Sequence, residues 1–317
     1  MAHSVLSQFH RRAMATEFVV MLPGVLGHYA ERALEALEQL EAIEDQLSLY
    51  RPQSDVSRLN RAAGAGPVKV SADCLAVLQR AIELSRLTKG AFDVTAGPLV
   101  EAWGFTQRRG QKPSSEVVAA ALKRVGFEKL RLDTRAGTAE LMEPGMAVNL
   151  GAIGKGFALE RVAAVLLEGG VADFLVHGGQ SSVIAVGDDI PGSQGGWKVA
   201  IEHPLIRGHR LGGLCLKNES LGTSGSGKQF FHHQGKRLGH VIDPRTGWPA
   251  GDMLSLTVVS ESAMDADALA TGLFVLGAED AFEISSCGLV AVLPTGRQAD
   301  VIVRQSHLRE GAWIASS

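Results

Sequence analysis

Asp267 and Thr271 stand four residues apart in a segment that opens at Ser262, a spacing that places both on one face of a helix. A carboxylate beside a hydroxyl suits a hard cation such as magnesium (Mg2+), which takes oxygen ligands and keeps part of its water. The pair also has a structural reading, in which Asp267 complements the helix dipole and Thr271 packs. Ser262 and Asp265 have capping-box spacing, so Asp265 belongs to the helix start. Upstream, the apolar run Met146–Leu150 enters Gly151-Ala152-Ile153-Gly154-Lys155-Gly156, and an amphipathic helix begins at once. Small residues let backbone N–H groups close on an anion, a helix N-terminus favours negative charge, and Lys155 adds a cation. This loop either cradles phosphate or is a tight strand-to-helix turn with an exposed lysine. His240, just ahead of the turn Asp243-Pro244-Arg245-Thr246-Gly247, is a general acid or base, or else a surface residue beside a turn that Asp243 caps.

Other features carry less. Gly222-Thr223-Ser224-Gly225-Ser226-Gly227-Lys228-Gln229 nearly matches a phosphate-binding P-loop, but Gln229 replaces the hydroxyl residue that would meet magnesium. The residues after it read as a hairpin rather than the required helix. His232 and His233 adjoin on a strand and face opposite ways, which makes them a poor metal pair. Cys74, Cys215 and Cys287 lie far apart with no CxxC, so they read as reduced thiols rather than a zinc site or a disulfide framework.

The elements that must position these residues follow from periodicity. Helical spacing runs over 27–47, through Leu34, Leu37, Leu40, Ile43 and Leu47, and again over 73–87, 115–125 and 263–276. Strand-like runs fall at 14–22, 128–133, 138–142, 146–150, 174–177, 182–187, 197–202, 211–217, 229–231, 237–242, 253–260, 289–293 and 300–304. Hairpin-rich strands with separated helices argue for α+β rather than a doubly wound sheet. The 317 residues are 45% apolar and 21% charged with a formal charge of −3 and no long basic block, so nucleic acid is not the expected partner. No stretch of about 18 apolar residues predicts a membrane span. The N-terminus carries neither a signal-length apolar run nor an early lipid-accepting cysteine, so the expected location is cytoplasmic.

Nine segments occur in a familiar order: Met14-Ala15-Thr16, LSLYRPQSDVSRLN, GAFDVTAGPLVEAWGF, NLGAIGKGFALE, FLVHGGQSSVIAVG, WKVAIEHP, TSGSGKQFF, HVIDPRTGWP and DADALATGLFVLG. Through them the chain resembles the FAD:protein FMN transferase (ApbE-like) family from Met14 to about Gly277. The resemblance implies a T-fold-like α+β architecture, with mixed and antiparallel sheets, packed helices and two lobes around a nucleotide cleft. It implies one domain over 10–310 with a split near 145, preceded by a flexible N-terminus at 1–9. The activity it implies is magnesium-dependent transfer of FMN from FAD to a Ser or Thr hydroxyl of an acceptor protein, with release of AMP. Met14, Tyr50 and the Ala91-Phe92-Asp93 turn would hold the flavin nucleotide, Tyr50 as a stacking face, and Asn149, Lys155 and the backbone near Ile242 would also touch FAD. The carbonyl of Ala152 with the side chains of Asp267 and Thr271 would hold the metal. His240 or Asp267 would take the proton of the acceptor hydroxyl. The family usually has Asp at the positions of Asn149 and Gln180, and an acidic or aromatic residue near Ser226-Gly227. Those departures keep two alternatives open: an FAD pyrophosphatase yielding FMN and AMP, and a flavin-binding protein without turnover.

Overall fold

The computed structural model describes residues 5–105, 110–225, 230–233, 236–297 and 299–315. Strands β1 (Leu6–Ala13) and β2 (Thr16–Pro23) form a hairpin, followed by helices α1 (Ala30–Leu47) and α2 (Asp55–Arg61), strand β3 (Val68–Lys69) and helix α3 (Ala72–Leu87). Two short helices, α4 (Gly97–Ala102) and α5 (Ser115–Leu122), precede β4 (Leu130–Asp133), β5 (Thr138–Leu141) and helix α6 (Gly154–Glu168). A run of strands comes next: β6 (Phe174–Gly178), β7 (Ser182–Val186), β8 (Trp197–Glu202), β9 (Arg210–Leu216), β10 (Glu219–Gly225), β11 (Phe230–His233), β12 (Lys236–Gly239) and β13 (Ser255–Ser260). Helices α7 (Ala263–Leu276) and α8 (Ala278–Ile284) and strands β14 (Gly288–Pro294), β15 (Val301–Ser306) and β16 (Trp313–Ala315) complete the described chain.

Eight strands form one sheet in the order β1-β2-β6-β7-β10-β13-β14-β15, and every neighbouring pair is antiparallel. Strand alternation sends successive side chains to opposite faces, and the two cores separate accordingly. Phe174, Val176, Ile184, Leu256, Val258, Leu289 and Ala291 join the helices in the main core. Leu175, Val183, Ala185, Leu221, Val259 and Val290 meet Trp197, Leu214 and Leu216 of the small β16-β9-β8 sheet on the other face. The large sheet is therefore the middle layer of an α+β sandwich. A satellite core of Leu99, Trp103, Val118, Ala121 and Ile242 sits with α4 and α5. No helix among the described residues is long and apolar enough to cross a membrane.

Helix α7 is apolar nearly all round, as a helix wedged into a core must be. Two glycines let it sit that close. A Cβ on Gly156 of α6 would lie 2.2 Å from the Ala263 carbonyl oxygen, and one on Gly222 of β10 would lie 2.3 Å from that of Ala266. The start of α7 is tied down from several sides. The Ser262 hydroxyl accepts the Asp265 N–H at 3.1 Å, and Glu160 of α6 accepts the Ser262 hydroxyl at 2.7 Å and the Met264 N–H at 3.0 Å. The Asp265 carboxylate takes no part in that cap and instead pairs in two-pronged fashion with Arg80 of α3, at 2.7 and 2.6 Å.

Three sequence expectations change. The first strand begins at Leu6, inside the segment read as a flexible terminus at 1–9, because β1 pairs along its whole length with β2. Both β2, ahead of residue 145, and β6, after it, belong to one sheet and one core, so the layers run across the expected lobe division. Residues 146–150 form no strand beyond a single bridge at Ala147. The Asn60 side chain serves their backbone instead, donating to the Val148 carbonyl at 3.0 Å and accepting its N–H at 2.7 Å. As the sequence argued, Gly222–Gly225 are no phosphate loop; they belong to β10, an interior strand between β7 and β13 where no strand was expected. Ser226, Gly227 and Gln229 lie outside the described residues, as do the side chains of His232 and His233.

Candidate active site

At one end of the large sheet, two turns and two helix starts converge. The β1–β2 turn places Met14 (φ 50°) and Ala15 (φ 59°) in the left-handed region, as a two-residue type I′ hairpin requires, though glycine or asparagine is the usual occupant. The three-residue β6–β7 turn also has left-handed residues, Gly179 (φ 60°) and Gln180 (φ 61°), and the Gly179 N–H donates to the Glu17 carbonyl at 2.9 Å, holding the turns side by side. A Cβ on Gly154, the first residue of α6, would lie 3.4 Å from Met14 Cε. Met14 thus lies against the glycine loop.

The loop is shaped by its own backbone. The Asn149 amide oxygen accepts the Gly151 N–H at 2.9 Å, the Asn149 N–H donates to the Val94 carbonyl at 2.7 Å, and the Gly154 N–H donates to the Leu150 carbonyl at 2.7 Å. The α6 N-terminus has no side-chain cap from its own residue Ile153. A cap comes from α7: the Asp267 carboxylate accepts the Gly156 N–H at 3.2 Å. It also accepts the Lys155 ammonium through both oxygens, at 2.8 and 3.0 Å, and the Ser182 hydroxyl at 2.7 Å. Lys155 in turn donates to the Ser182 oxygen at 3.0 Å. Asp267 is 4% exposed and Ser182 0%, so the pair is largely shielded from water. Such a charge is tolerated inside a protein only when it is paired and hydrogen-bonded, and here each carboxylate oxygen has two donors.

The chemical consequence is local neutrality. Lys155 and the helix N-terminus attract an anion, while Asp267 offsets them. Among the described residues no hydrogen bond ends on the Ala152 carbonyl, which the Gly156 N–H would meet if the helix began a turn earlier. Thr271, one turn beyond Asp267, is half-buried. This set of hard oxygen donors (carboxylate, carbonyl, hydroxyl) fits magnesium. Among the described residues no group of three His, Cys, Asp or Glu converges, so any cation here shares its shell with ligand oxygens and water.

The remaining expected residues fall in other turns and loops. Tyr50 is 70% exposed in a loop folded by serines, where Ser54 donates to the Ser48 carbonyl at 2.5 Å and Ser57 to that of Leu49 at 3.1 Å. Ala91 and Phe92 are buried in the main core, so a ligand would meet that turn through its backbone. Asp93 holds the turn together, accepting the Thr95 N–H and hydroxyl, each at 2.7 Å, and the Phe127 N–H at 2.9 Å. Burial pushes its carboxyl above the ordinary range, against the pull of those hydrogen bonds. Ile242 packs in the satellite core, and the His240 ring meets Phe105 edge-on with centroids 6.3 Å apart. Asp243 accepts the Arg245 N–H at 2.8 Å and its guanidinium at 2.9 Å, and Trp103 donates to the Gly247 carbonyl at 2.9 Å. A Cβ on Gly90 would lie 3.8 Å from Arg245 Cγ, which brings this turn beside Ala91-Phe92-Asp93.

A family model described as the ApbE family matches residues 14–293. The chain belongs to the ApbE family. A curated relative, the FAD:protein FMN transferase of Haemophilus influenzae, is 37% identical over 272 residues, covering 83% of this chain and 78% of that protein. The flavin transferase ApbE from Vibrio cholerae superposes with a TM-score of 0.81 at 29% identity, covering 96% of this chain and 97% of that one. The ApbE protein from Thermotoga maritima does so with a TM-score of 0.84 at 27% identity, covering 95% and 97%.

Within this ApbE chain, the departures at Asn149 and Gln180 have local explanations. The Asn149 amide oxygen closes the same short turn onto Gly151 that a carboxylate would close. Gln180 is exposed at a turn tip. Sequence reasoning missed Ser182, Asn60 and the packing role of Gly156. The signal for Ser182 was available: a hydroxyl opening the apolar run Val183–Val186 sits where a buried polar group needs partners.

Proposed function

We propose that this ApbE-family chain transfers FMN from FAD to a Ser or Thr hydroxyl of an acceptor protein, with magnesium on Asp267 and release of AMP. The observation that carries this reading is the Lys155–Asp267 pair at the N-terminus of α6, which Asp267 caps from α7. Alone, the pair has no net charge to offer a pyrophosphate, and a phosphate group placed beside Asp267 would be repelled. A divalent cation held on Asp267 would supply the positive charge that resolves that conflict, and Lys155 would then be available to the phosphate. The bound cation supplies charge stabilisation to the departing AMP. Asp267, Thr271 and the Ala152 carbonyl would hold it. Lys155 and the first N–H groups of α6 would orient the pyrophosphate, Met14 and the Ala91–Asp93 backbone would flank the nucleotide, and exposed Tyr50 would offer a stacking face.

The proton of the acceptor hydroxyl goes to His240 in this account. Asp267 is already engaged there: its two oxygens accept the Lys155 ammonium, the Ser182 hydroxyl and the Gly156 N–H, and in this reading it holds the metal. His240, a half-exposed imidazole ahead of the Asp243–Gly247 turn, is of the residue type that most often takes up a proton near neutral pH. The test is to incubate the protein with FAD and an acceptor, in magnesium or in chelator, and read flavin fluorescence on the denatured acceptor. Labelling only with magnesium supports the transferase. FAD consumed to FMN and AMP with no labelling would make the protein a hydrolase, and intact FAD a binder.

A further inference from the structure

We infer that Ser182 is a positioning residue that keeps the Asp267 carboxylate oriented to receive the divalent cation; the inference rests on the reading of Asp267 as a metal ligand. Ser182 opens β7, and strand alternation puts it in the helix-facing row with Ile184. It is fully buried, yet neither hydrogen-bonding direction is wasted. An ammonium has no lone pair and a carboxylate no proton, so the hydroxyl must accept from Lys155 at 3.0 Å and donate to Asp267 Oδ1 at 2.7 Å. Its direction is fixed by its neighbours.

That geometry bears on what happens when a cation arrives. Lys155 occupies a lone pair on each oxygen of Asp267, and a divalent ion competes for the same lone pairs and repels the ammonium. Once Lys155 has moved, two protein donors remain on the carboxylate: Ser182 on Oδ1 and the Gly156 N–H on Oδ2. One hydrogen bond on each oxygen pins the carboxylate plane and leaves the vacated lone pairs for the metal. The free lone pair of Ser182 keeps Lys155 within reach of the phosphate. Loss of the hydroxyl removes one pin and leaves Lys155 only the carboxylate to bind. Both effects weaken the metal.

The experiment measures Mn2+ binding by electron paramagnetic resonance, with ADP present at saturation and Mn2+–ADP without protein as the reference. Ser182→Ala and Ser182→Cys, the second filling the volume with a poor donor, are expected to bind Mn2+ about tenfold more weakly than the parent. Ser182→Thr, which keeps the hydroxyl, is expected to stay closer to the parent. The magnesium concentration for half-maximal activity should rise in the Ala and Cys variants by more than the FAD KM does. A purely structural role would lower melting temperature without that selective shift. Parent-like Mn2+ binding in both variants, with Asp267→Asn binding none, would overturn the role of Ser182 and leave the Asp267 reading standing. Parent-like binding in Asp267→Asn would remove the metal reading and the inference with it.

Discussion

The Asp267 carboxylate is paired with the Lys155 ammonium, and under the proposed reading that ammonium stands where the metal would bind, so the behaviour of the pair on mutation follows. Lys155→Met leaves a buried carboxylate without its counter-charge, a loss of about 3–5 kcal/mol when a buried pair is broken on one side. Because the vacated lone pairs face no competitor, Mn2+ should raise the melting temperature of this variant by more than it raises that of the parent. Affinity for FAD should fall at the same time. Melting curves with and without Mn2+ check the first and flavin fluorescence titration the second. A different residue sets a pH dependence. His177 on β6 has an unpartnered buried Nδ1, and burial holds its pKa below the ordinary 6.5, with His10 adding to the effect and Glu17 opposing it. The unfolded chain then binds the extra proton first, so this contribution to stability is lost as pH falls below about 6.5 and regained as it rises. His177→Gln should lose less stability than the parent between pH 7 and pH 5 in denaturant melts. Lys155 and Asp267 were legible in the sequence because charge and helical spacing announce them. Ser182 was legible only as a hydroxyl at the head of an apolar run; its partners, on two helices 27 and 85 residues away, were not.

At the scale of elements, the site depends on how closely α6 and α7 approach. Gly156→Ala would put a methyl group 2.2 Å from the Ala263 backbone oxygen, which neither helix can yield without shifting. Overpacking of this kind costs about 1–3 kcal/mol, and the shift would also draw Asp267 away from the α6 N-terminus. We expect a lowered melting temperature together with a loss of magnesium-dependent labelling, both measurable on one preparation. This explains why the glycine segments were only half readable. Glycine serves both phosphate approach and close helix packing. In Gly151–Gly156 the third glycine does the packing, and in Gly222–Gly225 the run is an interior strand paired with β7 and β13 whose Gly222 makes room for α7. Helix α7 itself stood out, bounded by its serine cap and apolar length, and is found over Ala263–Leu276. Residues 146–150 looked like a strand because they are apolar, but Asn60 supplies the hydrogen bonds a neighbouring strand would have made.

At the scale of the whole molecule, one antiparallel sheet lies between a helical layer and a smaller sheet and carries the candidate site at one end of its strands. Period-two alternation made the α+β class readable, whereas strand order was not, since β2 meets β6 and β10 meets β13 across long intervals of chain. That long-range order is what brings the Met14 turn, the Gly179-Gln180 turn and the starts of α6 and α7 together. The account therefore stands or falls on whether this convergence is where FAD is split. The most direct measurement is flavin labelling of an acceptor protein by the parent and by Asp267→Ala, titrated with magnesium at saturating FAD. The account predicts magnesium-dependent labelling by the parent and at least about a hundredfold slower labelling by the variant at every magnesium concentration. Labelling by Asp267→Ala at the parent's rate and with the parent's magnesium requirement would contradict it.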